Sequence, residues 1–207
     1  MTAPPTIGAL DLAALLCSRL CHDLISPVGA IINGLEVMEE DKDEETKTFA
    51  LDLIKKSAGQ ASAKLQFCRL AFGASGSAGA QIELGDAEKA ARGLLEDGKA
   101  TLAWNLPRAL VAKNRVKLLL NMLLVASGAI PRGGTLTADP RGEGYRITAR
   151  GLNARLAPAT VDLLAGIPAE PVNARAIQPL YTGILARDCG FGISARLEGD
   201  AVIVTAS

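Results

Sequence analysis

At 207 residues the chain has room for one or two domains, and its 49% hydrophobic, 3% aromatic composition is that of close-packed helices, not of disorder. Lysine plus arginine equals aspartate plus glutamate at 22 each, so no net field draws it to nucleic acid or anionic lipid. Met1–Pro5 has no leader-like character, no unbroken apolar run reaches the ~18 residues of a membrane span, and four cysteines without a CxxC pair sit beside one histidine. The expectation is a cytoplasmic protein with reduced, mostly buried thiols, no zinc site, and no nucleic-acid or membrane partner.

In chain order, a first helix capped by Asp11 runs to about Glu40. Its apolar or small residues fall at Leu10, Ala14, Cys17, Cys21, Leu24, Val28, Ile31, Leu35 and Met38. Steps of four and three residues make this the seam of a helical bundle. The acidic stretch Glu39–Thr48 makes the turn, and a second helix repeats the seam at Leu51, Ile54, Ala58, Ala61, Leu65, Cys68 and Phe72. Two such helices form an antiparallel hairpin but cannot enclose both flanks of their stripes. A second copy of the chain would, giving a homodimer built on a four-helix bundle with two-fold symmetry.

Gly73–Ala80 is small and flexible in composition, a natural linker. Beyond it the pattern turns mixed: helix at Asp86–Asp97, strand at Ala100–Trp104, apolar helix at Lys113–Ala129, and strands at Gly134–Ala138 and Gly144–Ala149. Helical stretches follow at Ala159–Ala165 and Gln178–Cys189. A hairpin of Ala195–Leu197 and Ala201–Thr205 closes the chain across Glu198-Gly199-Asp200. The fold class is therefore α+β: a helical hairpin over residues 8–73 and an α/β sandwich over residues 80–207.

His22 is the only histidine, so any histidine chemistry must run through it. At ~100° per residue it points roughly 145° away from the helix 1 seam and faces solvent. The same outward strip carries Leu15, Ser18, Arg19, Ser26, Gly29, Asn33 and Val37, a mixture that suits docking better than plain solvation. Position alone leaves a lone exposed histidine ambiguous. Its neighbours do not: Pro27 lies mid-helix, costing on the order of 3 kcal/mol and deleting the hydrogen bond to the Asp23 carbonyl. Asp23 can orient the imidazole or take its proton, and Ser26 leaves room for a phosphoryl group. Trp104 and Tyr181 read as packing groups. The arginines Arg132, Arg141, Arg146, Arg150, Arg155 and Arg175 read as solvated surface that could also dock an acidic partner.

His22-Asp23-Leu24-Ile25-Ser26-Pro27 resembles the H-box of two-component histidine kinases, and the chain as a whole resembles a dimerisation hairpin followed by a degenerate, Bergerat-type ATP-binding domain. More narrowly, Leu16–Ala30 is similar to the alphaproteobacterial histidine phosphotransferases. Leu118–Gly134 resembles the kinase N-box helix and its exit turn, but the magnesium-holding asparagine falls on Val125 and the following basic residue on Gly128. Ala149–Arg155 lacks the Asp-x-Gly-x-Gly adenine loop, and Gln178–Gly183 lacks the phosphate-cradling glycines. The resemblance implies a phosphorelay histidine phosphotransferase without ATP, with His22, Asp23 and Ser26 at the reacting centre. The donor is the receiver domain of a hybrid histidine kinase and the acceptors are response regulators. These dock in turn over Leu15, Arg19, Gly29, Asn33 and Val37, helped by Arg69 of helix 2. No cofactor is implied, since the receiver's acidic pocket brings the magnesium. Rival readings are a non-catalytic receiver-binding module, an atypical ATP-dependent kinase and a receiver phosphatase.

Overall fold

A computed structural model describes residues 7–73, 80–96, 99–167 and 171–207. Helices α1 (Ala9–Glu40) and α2 (Glu44–Ala71) form the antiparallel hairpin. Helix α1 begins two residues before the expected Asp11, with Gly8 at the cap and Asp11 in the first turn, where its charge complements the helix dipole. The connection is shorter than the acidic run Glu39–Thr48 suggested. Asp43 caps α2 by accepting from the Thr46 amide (2.9 Å), so Glu44 onward is already helical. These bonds hold the Asp43 carboxyl below its usual range.

The helices approach closely at Gly34. A Cβ there would lie 2.6 Å from Ile54 Cγ1 and 3.2 Å from the Ala50 carbonyl oxygen. Gly34 and Pro27 are the buried residues of α1, so its inner face is not the expected seam. Most seam residues lie open in the single chain: Leu10, Ala14, Cys17, Cys21, Val28 and Leu35 on α1, and Leu51, Ala58 and Leu65 on α2. The seam straddles two faces, one against the partner helix and one uncovered. Cys17 and Cys21 are accordingly exposed rather than buried, while Cys68 and Cys189 are half-buried, and all four are free thiols. Contrary to the expectation from unbroken apolar runs, α1 is by length and composition alone long and apolar enough to cross a bilayer.

The expected linker lies, over residues 74–79, outside the described residues, as does Asp97. Beyond it run β1 (Gln81–Glu83), α3 (Leu84–Leu95), β2 (Ala100–Trp104), β3 (Leu110–Ala112) and α4 (Lys113–Gly128). Then come β4 (Gly134–Arg141), β5 (Gly144–Arg150), α5 (Pro158–Ala165), α6 (Ile177–Asp188), β6 (Ile193–Glu198) and β7 (Ala201–Ala206). Five strands form one sheet in the order β2-β4-β5-β7-β6, parallel only between β2 and β4. The short strands β1 and β3 pair with each other, outside that sheet.

Helix α4 is the centre of the molecule, with Val116, Leu118, Leu119, Leu120, Met122 and Leu123 fully buried. Phe67 and Ala71 of α2 belong to the same core, so the hairpin and the α/β part share apolar packing. Buried Asn121 ties them: its Nδ2 donates to the carbonyls of Ala71 (3.0 Å) and Lys117 (2.7 Å), and its Oδ1 accepts from Gln178 Nε2 (2.5 Å). Trp104 and Tyr181 pack against this core, Tyr181 with its ring 5.7 Å from that of Phe72.

Candidate functional site

His22 stands on the outward side of α1 with 74% of its side chain accessible. The imidazole leans on its neighbour, Nδ1 lying 3.4 Å from Asp23 Oδ1. Arg19, one turn back, reaches the other carboxylate oxygen at 3.8 Å. A carboxylate at Nδ1 favours a proton there and leaves Nε2 with the lone pair. Ser26 is exposed one turn further on, and beyond it Asn33 and Val37 are open. Gly29 adds no side chain to this stretch, and a Cβ built on it meets no atom within 4 Å.

The expected docking strip divides at this point. Leu15 packs with Leu12 and Leu16 against Leu163, Ile177 and Leu180, beneath α5 and α6. Arg19 donates from Nη1 to the carbonyl of Arg175 at 3.4 Å. The α/β part therefore sits against the N-terminal half of α1, and the open strip runs from His22 toward Val37. Arg69 is exposed but follows Leu65 by four residues, which places it on the uncovered apolar row of α2 rather than beside His22. Among the described residues the structure thus gathers Arg19, His22, Asp23 and Ser26 and leaves Leu15 and Arg69 apart.

One residue of this group is not visible from local sequence. Lys64 of α2 donates from Nζ to the Asp23 carbonyl at 2.8 Å. Its only sequence signal is a lysine at position 64 among the inward-facing residues Ala61, Lys64 and Cys68 of a helix. Burial first, and then the Asp23 carboxylate, push the Cys68 thiol up to about 11.

A crevice of about 490 Å³ lies between α4, the loop after β5 and the start of α6. Val125 and Gly128 line it, as do Arg155, Arg175 and, from α1, Arg19. Asn121, one turn earlier, is wholly engaged in the buried bonds described above. Gln178 borders the same space with its Oε1 unpartnered.

Residues 84–201 match the family described as the histidine phosphotransferase C-terminal domain. The protein phosphotransferase ChpT of Brucella abortus (strain 2308) is 49% identical over 214 residues, covering all of both chains. A solved structure of a bacterial phosphotransferase is 46% identical and superposes over the whole of both chains with a TM-score of 0.88.

Proposed function

Because the chain belongs to the histidine phosphotransferase family, and so serves in a phosphorelay, we propose that His22 is the residue that carries its phosphoryl group. The observation that supports this assignment is the exposed imidazole with Nδ1 against the Asp23 carboxylate. Nε2 attacks the phosphorus of a receiver's phospho-aspartate, the N–P bond forms, and the P–O bond to the receiver carboxyl breaks. The departing carboxylate stays on the receiver with its magnesium, while Asp23 holds the Nδ1 proton and balances the imidazolium charge. Transfer to a second receiver aspartate reverses these bonds. The donor is the receiver of a hybrid histidine kinase, the acceptors are response regulators, and the phosphoryl group does not come from ATP. Ser26, Gly29, Asn33 and Val37 form the approach, with Arg19 at its edge.

The finer assembly is a homodimer. The uncovered rows Cys17–Cys21–Val28–Leu35 and Leu51–Ala58–Leu65 suit a second hairpin, which completes a four-helix bundle. A bilayer suits them poorly, since the His22–Ser26–Asn33 side of α1 is polar and a spanning helix is apolar all round. Residues 8–73 and 80–207 are the transfer and α/β units, and the four free thiols fit a cytoplasmic setting.

The test is a His22→Ala protein incubated with a phosphorylated receiver, followed by mapping of acid-labile label. The wild type is labelled at His22 and passes label to a response regulator. The variant should do neither while keeping its melting temperature, because the side chain buries little. A variant that still relays phosphate overturns the assignment.

A further inference from the structure

Pro27 has no N–H to offer the carbonyl of Asp23, four residues earlier on α1. That carbonyl belongs to the residue whose side chain orients His22, so a peptide unit at the reacting centre is released from the helical ladder. The Lys64 ammonium takes the vacated acceptor at 2.8 Å, reaching over from α2 across 41 positions of sequence. Arg19 meets the same residue through its carboxylate, at 3.8 Å. Asp23 is thus held at both ends: its carbonyl by α2, its carboxylate by α1.

We propose that Lys64 is a positioning residue for phosphotransfer. By filling the carbonyl that Pro27 leaves open it fixes the Asp23 peptide, and through it the placement of Asp23 Oδ1 against His22 Nδ1 that leaves Nε2 free to attack. This rests on His22 being the acceptor. A proline alone would leave the histidine on a loosened turn, whereas proline with Lys64 gives a bent but rigid one. The pairing also accounts for a long cation lying half-buried between the helices, where a charge is costly without a dedicated partner. A cavity of about 310 Å³ adjoins Lys64, Asp23, Arg19 and Cys68, so a guanidinium has space to replace the ammonium.

The experiment uses the full chain with Lys64→Met, which keeps the stem and loses the donor, and Lys64→Arg, which keeps a charged donor. The lone histidine lets ¹⁵N-imidazole spectra report its tautomer without assignment. Lys64→Met should lower the maximal transfer rate from a phosphorylated receiver at least about tenfold, as small misplacements of a reacting group do, with the half-saturating receiver concentration unchanged. The Nδ1–H tautomer should fall in the same protein, and Lys64→Arg should recover both. A folded Lys64→Met protein with wild-type rate and tautomer overturns the inference, and so does a loss seen in half-saturation alone.

If Lys64→Met folds poorly, Pro27→Ala supplies the answer by returning an N–H to the Asp23 carbonyl. In that background Lys64→Met should change neither melting temperature nor tautomer. Equal losses in both backgrounds would mean that Lys64 acts elsewhere. Relay by His22→Ala, in contrast, sinks the acceptor assignment and leaves the Lys64–Asp23 contact untouched.

Discussion

Gly29 lies two turns beyond His22 on the open strip, with free space where its side chain would be. Helix interiors disfavour glycine by roughly 1 kcal/mol, so Gly29→Leu should raise the melting temperature by about 2–4 °C. The same side chain should slow transfer steeply by standing where a receiver must approach. Unchanged transfer kinetics in a stabilised variant would remove Gly29 from the docking surface. At this scale the local grouping was legible in the sequence: a lone histidine, an adjacent carboxylate and a mid-helix proline fall within six residues. Lys64 was not legible, because its bond to Asp23 depends on how two helices align. Nor was the partial burial of Leu15, which periodicity placed on the outer strip and which α5 and α6 then partly covered.

Gly34 sets how closely α1 and α2 approach. Gly34→Ala should cost about 1–3 kcal/mol by overpacking against Ile54 and the Ala50 carbonyl, with Ile54→Ala recovering part of it; urea midpoints of the four proteins decide. The opposite, uncovered face predicts association. Leu35 and Leu65 are 49% and 51% exposed in the single chain, and Leu35→Asp or Leu65→Asp should turn a sedimenting dimer into monomer. Cys17 and Cys21 should resist alkylation in the wild type and react quickly in the Leu35→Asp protein; equal rates in both would leave that face unoccupied. The helices were readable from their periodicity, yet not which side of each is covered, because a bundle helix meets neighbours on more than one face. The three-residue strands β1 and β3 escaped because three residues cannot display alternation. Helix α2 was shortened in the reading because the residues of its capped first turn have the composition of a loop.

For the whole molecule, burial first raises the thiols of Cys68 and Cys189 to about 11 and the Tyr145 hydroxyl to about 12. The unfolded chain releases the thiol protons near 9.0, so between pH 9 and 11 it binds fewer protons than the folded one, and stability must fall as pH rises. Urea midpoints should decline over that window, less steeply in Cys68→Ala; a flat profile would contradict the burial of these groups. The α/β part has a different consequence for traffic through the protein. It occupies the N-terminal half of α1 and leaves, on each chain, one open stretch beside His22. With His22 as the acceptor and this stretch as the shared approach, as proposed, donor and acceptor should follow a ping-pong scheme, with parallel double-reciprocal plots. Unphosphorylated donor receiver becomes a competitive inhibitor of the outgoing step. Flux through such a protein is governed by the ratio of phosphorylated to unphosphorylated receivers around it, so an excess of spent donor throttles the relay even while phosphohistidine persists.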